Sequence, residues 1–493
     1  MTHTLLWFRK GLRLHDNPAL QMAIQKATRL MPVFVLDPHF IDPDRVGINR
    51  MAFLLESLVD LDRRLRTLGS RLLVLRGQPE EVLAHAFSTW QVGRLCFERD
   101  TEPYARNRDE RLRSLAQKCG IEVVSPTGHT LFDPDAVLKA GGGRAPLTYS
   151  AFLRVISRLG TPAQPQPTPA HLPPPIAEIC ESPDYAIPTL TELGYTDLEA
   201  VNHRYPGGET AGLERLGDYL ADRARVAHFA KPDTDPTAFD PPATTVLGAH
   251  LKFGCLSART FYYEVQAIYR QARSHTEPPV SLLAQILWRE FFYVLGYATP
   301  NYDRMAGNPI CRQIAWDDNP AYLAAWSEGR TGYPWIDAAM HQLEREGWLH
   351  HLSRHAVACF LTRGDLWLSW EAGQAVFERL LVDQDWSLNA SNWMWLSASA
   401  FFHAYHRVYS PISFAKKYDP AGRFVRHYLP ALERYPDAFI YEPWKAPLSV
   451  QREAGCIVGR DYPEPIVDHT EARTRNIERM RMAFTADPST LPT

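Results

Sequence analysis

The sequence predicts an α/β N-terminal domain built on a parallel, Rossmann-like sheet and linked to a mostly α-helical C-terminal domain. Three observations carry this expectation. Short apolar runs alternate with helical patterns up to about residue 130, a proline-dense stretch follows, and beyond about residue 206 long helical patterns take over. A chain of 493 residues has room for two or three domains. Strand–helix alternation is the pattern of a parallel sheet covered by helices.

The runs TLLWFRK, LMPVFVLD, RLLVLRG and RLCFERD read as strands. Between them MAFLLESLVDLDRRLRTLG and EEVLAHAFSTW read as helices, and the N-terminal domain is expected over residues 1–132. Such sheets bind ligands beyond the carboxyl ends of their strands. No G-x-G-x-x-G follows the first strand, so an ordinary dinucleotide site is not expected there. GTPAQPQPTPAHLPPPIAEICESPDYAIP is too rich in proline for regular helix or a central strand; it marks an interdomain linker, bounded at 133–205. Residues 206–493 form the helical domain, with ETAGLERLGDYLADRARVAHFA, SLLAQILWREFFYVLGYA and PWIDAAMHQLEREGWLHHLSRHAVACFL as long helical segments. No internal repeat is found.

The composition, with 45% hydrophobic and 22% charged residues, is that of a soluble globular protein. A net charge of −3 provides no global attraction to nucleic acid, so any such contact needs a local basic face. The seven cysteines are scattered without C-x-x-C spacing, which argues against a zinc or iron–sulfur site and suits a reducing compartment. The N-terminal MTHTLLWFRKGLRL lacks a cleavage pattern, and no run is long enough to span a membrane. An intracellular protein is expected, cytoplasmic and nucleoid-associated, or nuclear in a eukaryote.

Two features stand out in the helical part. GWLHHLSRHAVACF places His350, His351 and His355 in an apolar run. On a helix His351 and His355 share a face, with Arg354 three residues on from His351, while His350 points elsewhere. Such a pair could be two satisfied helix histidines, a metal pair, or a proton donor and its partner; the metal reading lacks an adjacent Glu and a third ligand. About thirty residues later LLVDQDWSLNASNWMWLSASAFF embeds Asp383 and Asp385 in apolar sequence beside Asn389, Trp393 and Trp395. Buried carboxylates need partners; Arg354 is one candidate, and a polar heterocycle presenting N–H groups is another. Most of the thirteen tryptophans fall after Trp288, which alone reads as aromatic core.

The motifs WFRKGLRLHDNPAL, TTVLGAHLKFGCLS, LLAQILWREFFY, GNPICRQIAW, GYPWIDAAMHQLEREGWLHHLSRHAVACFLTRGDLWLSW and DWSLNASNWMWLS span almost the whole chain. In these the sequence resembles the photolyase/cryptochrome family, most closely its (6-4) photolyase and animal-type cryptochrome branch. The resemblance implies a helical domain holding FAD and an N-terminal domain that holds a deazaflavin, a folate, another flavin or nothing as antenna chromophore. Thr244, Thr245, Val246 and Leu247 resemble the flavin pyrophosphate loop. Gly248 stands where relatives usually have serine, and Phe229 near a position that is often tyrosine. Asp383 resembles the carboxylate paired with an arginine, here Arg354. Asp385 resembles the acceptor of a flavin ring N–H, and Asn389 the residue opposite flavin N5.

By the same resemblance Trp393, Trp370 and Trp316 form an electron-hopping chain from flavin to surface, with Trp367 as the fourth member of a tetrad. Trp367 and Trp370 are expected on one helix, in contact. Gln285, Trp288, Trp395, Tyr409 and Lys231 resemble a lesion pocket, with Arg289 beside it. Arg407, Lys416 and Lys417, in a stretch that interleaves basic and aromatic residues, suit a DNA-contacting face. The histidine pair would face the lesion, His351 as proton donor and His355 as its partner. Relatives that repair cyclobutane dimers typically carry asparagine and methionine there, so the pair favours a (6-4) substrate. The expectation is a monomeric, blue-light-driven repair enzyme acting on UV-damaged DNA, with no membrane partner. The alternatives are a cryptochrome photoreceptor with a protein signalling partner, or a cyclobutane dimer photolyase. The short stretch after HTEARTRNIERMRMAF, without a long tail, favours repair.

Overall fold

Alternation along the first strands decides the architecture of the first part. In β1 (Thr2–Phe8), Leu5 and Trp7 enter one apolar cluster while Leu6 and Phe8 enter another. β2 (Ala27–Leu36) divides likewise, with Met31, Val33 and Val35 on one side and Leu30, Phe34 and Leu36 on the other. A sheet apolar on both faces must be covered on both, as parallel sheets are. β3 (Leu73–Arg76), β4 (Val92–Cys96) and β5 (Glu122–Val124) complete five parallel strands in the order β3-β2-β1-β4-β5. The helix Ile48–Thr67 covers one face, and the helices Pro79–Thr89 and Pro103–Lys118 the other. Four strands lie where the sequence places them; β5 is only three residues long and too short to leave a pattern.

The computed structural model describes residues 2–238, 241–401 and 404–485. They separate into two compact units: Met1–Asp233 with Thr245–Ala298 and Val382–Ser387, and Thr234–Thr244 with Thr299–Leu381 and Leu388–Thr493. The first unit holds the sheet and the helices Ala258–Gln271 and Leu282–Ala298. The second is helical, with Pro334–Glu346, His351–Cys359, Trp370–Leu380 and His469–Thr485 as its principal helices. Among the described residues no helix is long and apolar enough to cross a membrane.

Three local expectations change. The proline-dense stretch does close a helix of five residues, Ala177–Glu181, and the helices Pro134–Ala140 and Tyr149–Leu159 precede it within 133–205. The long pattern from Pro334 breaks at Gly347, whose φ of 63° ends the first helix in a left-handed cap. Trp367 and Trp370 do not share a helix. The helix starts at Trp370 behind the cap Ser369, whose hydroxyl accepts from Glu371 N, and Trp367 sits before it with φ 57°.

Candidate functional site

In the first unit the Thr245–Gly248 segment leads into the helix Gly248–Phe253. Arg215 Nε donates to the Thr245 carbonyl at 2.8 Å, and Val246 takes a φ of 51°. Gly248 has a structural reason to lack a side chain. A Cβ there would lie 2.8 Å from Asp383 Oδ2 and 3.1 Å from Asp383 Cβ. The backbone and the carboxylate therefore form one close-fitting cradle, which a serine would fill.

Asp385 is buried, and both its oxygens are engaged. Oδ2 accepts from the Tyr293 hydroxyl at 2.5 Å and Oδ1 from Ser387 N at 3.1 Å. Burial and the adjacent carboxylate push the Tyr293 phenol well above its ordinary range, so it serves Asp385 as a donor. Its hydroxyl also lies 2.8 Å from His129 Nε2, and burial beside Arg289 keeps His129 neutral. Arg289 closes the network, 2.7 Å from Glu290 Oε1 and 3.0 Å from the His129 carbonyl. Arg289 was expected beside a lesion pocket. Its guanidinium lies inside the protein, ion-paired with Glu290. Tyr293 and His129 escape a sequence reading because they lie far apart in the chain and only the fold brings them together, although Tyr293 ends the LLAQILWREFFY motif.

Gln285 and Trp288 occupy the partly exposed stripe of the otherwise buried helix Leu282–Ala298. Gln285 Nε2 donates to the Ser281 carbonyl, and Trp288 stacks on Tyr149 at 4.0 Å with planes 6° apart. Lys231 is half-buried, its backbone N–H bonded to the Val280 carbonyl; Phe229 is buried. Beyond the carboxyl ends of β1 and β4, Lys10 pairs with Asp100 at 3.1 Å and Glu102 at 3.3 Å. Burial, with Arg50 and Lys10 near, lowers the Lys252 ammonium to about 7.

In the second unit the histidines take distinct places. His350 is the N-cap of the helix His351–Cys359, its Nδ1 accepting from Leu352 N at 3.2 Å. His351 and His355 are half-exposed on one face, with ring centroids 5.7 Å apart, and His355 Nδ1 lies 3.3 Å from the Tyr409 hydroxyl. Although its role is capping, the His350 ring lies 4.4 Å from that of His351. Arg354 Nε donates to the Leu349 carbonyl at 2.9 Å. Asn389 donates through Nδ2 to the Gln374 carbonyl at 3.1 Å. Among the described residues no three His, Cys, Asp or Glu side chains gather as metal ligands would.

Trp395 is half-buried, its ring 6.4 Å from that of Phe401. Arg407 is exposed, and buried Arg363 shapes its loop by donating to the carbonyls of Leu396, Tyr405 and Arg407. Lys416 and Lys417 are exposed; Lys416 pairs with Glu442 at 2.7 Å, and Lys417 lies 4.7 Å over the Tyr418 ring. His403, which opens the basic–aromatic stretch, lies outside the described residues.

Trp393, Trp370 and Trp367 are buried, and Trp316 is half-buried. The Trp393 ring lies over Gly373, where a Cβ would come within 2.2 Å of Cη2. Gly373 is one turn on from Trp370, so the glycine brings the Trp393 ring onto the face of the helix that Trp370 begins. Trp316 and Trp367 pair at 4.9 Å.

The comparisons with known proteins agree. A family model described as the FAD binding domain of DNA photolyase matches residues 282–482, and one described as DNA photolyase matches residues 4–173. The chain is 52% identical to the (6-4)DNA photolyase of Arabidopsis thaliana, covering 98% of this chain and 88% of that protein. It is 48% identical to Cryptochrome-1 of Sylvia borin, covering 97% and 78%. A bacterial class III photolyase from Agrobacterium tumefaciens superposes with a TM-score of 0.83 at 28% identity, covering 99% of this chain and 98% of that one. With an FAD-binding domain, a parallel five-stranded α/β domain and relatives matched nearly end to end, this chain belongs to the photolyase/cryptochrome family.

Proposed function

We propose that this protein is a light-driven DNA repair enzyme for (6-4) pyrimidine–pyrimidone photoproducts. The observation that carries the reading is the His351–His355 pair. The two imidazoles share one helix face, are accessible, and are tethered on one side by Tyr409. Similarity to (6-4) photolyases at 52% identity supports it. We assign residues 1–132 to an antenna domain and 206–493 to the FAD-binding catalytic domain, joined by 133–205.

The close-fitting backbone at Gly248 and the buried acceptor Asp385 suit a ligand with phosphates and ring N–H groups. In the first unit Thr245, Val246, Leu247 and Gly248 would meet the pyrophosphate of FAD, with Phe229 near it, while Asp383 and Asp385 face the flavin. In the second unit Thr244, Arg354 and Asn389 belong to the same set. FAD, when bound and reduced, supplies the light-driven electron. The protein supplies the rest. His351 gives a ring proton to the oxygen that must return to the other base, and His355, oriented through Nδ1 by Tyr409, holds His351 in place. Gln285, Trp288, Trp395, Tyr409 and Lys231 hold the extruded bases by stacking and hydrogen bonding. Lys416 and Lys417 meet phosphates, and Arg407 helps fill the gap left by the flipped lesion. Trp393, Trp370, Trp316 and Trp367 return electrons to the cofactor. An antenna pigment, deazaflavin, folate or flavin, would sit where the strand order reverses between β1 and β4, near Lys10 and Lys252.

The test is repair itself. Reduced protein under blue light should restore (6-4) DNA to its original bases and leave cyclobutane dimers unrepaired. Repair of neither lesion with normal photoreduction would give the assignment to the cryptochrome reading, which similarity to Cryptochrome-1 at 48% favours as the second choice.

A further inference from the structure

In the first unit, Trp288 is held from a segment outside the motifs that carry the lesion pocket. The helix Tyr149–Leu159 begins with a residue that reaches under the indole. The Tyr149 and Trp288 rings lie face to face, with centroids 4.0 Å apart and planes 6° from parallel. Tyr149 is buried, and its hydroxyl donates to the Ala284 carbonyl at 3.4 Å, one turn before Trp288 on the same helix. Its backbone is fixed too, because the Thr148 hydroxyl caps the helix by accepting from Ala151 N at 3.2 Å. Phe291 meets both rings edge-on, at 6.2 and 5.7 Å, and keeps either from turning.

The edge of the indole is fixed as well. Trp288 Nε1–H donates to the Pro279 carbonyl at 3.3 Å. The next two carbonyls do the same for the other pocket residues of this unit. Val280 accepts from the Lys231 backbone N–H at 2.9 Å, and Ser281 from Gln285 Nε2 at 3.0 Å. Three consecutive carbonyls thus hold three members of one wall. Ser281 is buried, and its hydroxyl accepts from Ala284 N at 3.3 Å. The indole has one N–H, and it is spent on Pro279, so Trp288 offers a base its ring face. The plane of that face is what Tyr149 sets.

We propose that Tyr149 is a positioning residue for lesion recognition. It holds the Trp288 ring in plane before DNA arrives, so that an extruded base meets a preformed stacking face. A ring that has to be ordered at the moment of binding weakens the complex, and one ordered in advance does not. The inference rests on the lesion-pocket reading above.

The experiment is binding in the dark, by fluorescence anisotropy, of the FAD-loaded full chain to labelled duplexes with and without a (6-4) lesion. Tyr149→Leu should weaken lesion binding by about tenfold, toward the lower end of what a base–aromatic stack is worth. Undamaged DNA, held through its phosphates, should stay within about twofold of wild type. Tyr149→Phe, which keeps the ring, should retain the lesion preference. In a Trp288→Leu background Tyr149→Leu should cost nothing further, because the ring it orients is gone. Phe152→Leu thins the layer behind Tyr149, 6.5 Å from its ring, and is the packing control; it should lower the melting temperature and keep the lesion preference. Should Tyr149→Leu fail to fold, Tyr149→Met, which fills irregular space, takes its place. An unchanged lesion preference in the folded variant, an equal loss in Phe152→Leu, or losses that add to those of Trp288→Leu would overturn the proposal. If Trp288→Leu itself binds the lesion as wild type does, the pocket reading is at fault. If Trp288→Leu loses affinity and Tyr149→Leu does not, only the role of Tyr149 falls.

Discussion

Gly373→Ala is a one-carbon perturbation whose consequence can be worked from the packing. The new Cβ would lie 2.2 Å from Trp393 Cη2, 2.5 Å from Trp393 Cζ3 and 2.5 Å from Leu361 Cδ2. Carbon atoms rest at about 3.5–4.0 Å, so the indole must retreat by more than about 1 Å. It has little room to do so, since Phe377 stands 5.0 Å from its ring and Trp326 6.1 Å, and Trp393 is 2% exposed. Overpacking of this kind costs about 1–3 kcal/mol, and alanine's helix preference over glycine returns about 1 kcal/mol. The net expectation is a loss of about 0–2 kcal/mol, together with slower light-driven reduction of bound FAD as Trp393 shifts against Trp370. The assay is photoreduction with a thiol donor alongside thermal melting. Phenylalanine at 393 lacks the outer ring, so in a Trp393→Phe background the stability loss should largely vanish. A Gly373→Ala protein that photoreduces at the wild-type rate and melts higher by the full helix-propensity gain would refute the reasoning.

Four further outcomes are expected. His351→Ala should lower the (6-4) repair yield by about 10²–10⁴ with fully reduced FAD, while FAD and lesion binding persist; near-wild-type yield would exclude the proton-donor role. Gly248→Ser should weaken FAD retention by displacing Asp383, at an overpacking cost of about 1 kcal/mol, measured by flavin release on dilution; tighter retention would show that the hydroxyl outweighs the crowding. Lys416→Ala with Lys417→Ala should weaken DNA binding across sequences and flatten its salt dependence, the smaller share coming from Lys416 because Glu442 already pairs with it. Burial holds the Glu290 carboxyl up to about 7. Its stability contribution is thus complete below the unfolded carboxylate range and lost as pH rises through about 7. Glu290→Gln should accordingly gain on wild type by about 1–3 kcal/mol between pH 5 and 8; a pH-independent difference in melting would count against this.

What could be read in the sequence followed local periodicity. Four strands rest on short apolar runs between helical patterns, and the shared face of His351 and His355 on a spacing of four, which the backbone enforces wherever the helix forms. The failures come where one residue's backbone conformation overrides the pattern. Gly347 turns left-handed and splits a long helical pattern, and Trp367 does the same without being glycine, so its three-residue spacing from Trp370 carries no helical meaning. The Tyr293–Asp385–His129–Arg289 network was illegible for another reason. Its members come from distant segments, and only packing brings them together.

Burial does not separate a relay tryptophan from a filler. Trp326 and Trp335 are as buried as Trp370 and Trp393. Nor does a missing hydrogen-bond acceptor, since Trp7 and Trp335 share that feature with Trp393 and Trp316. A core filler asks only for volume, which many side chains can supply. What distinguishes the series is geometry that volume does not require. A glycine at 373 brings one indole onto the helix of the next, although glycine there costs helix stability. An exposed Asp317 and Arg479 hold a guanidinium over Trp367, although a partly solvated ion pair contributes little to stability. Features that cost stability, or add little to it, at successive members of one series argue for a function in that series.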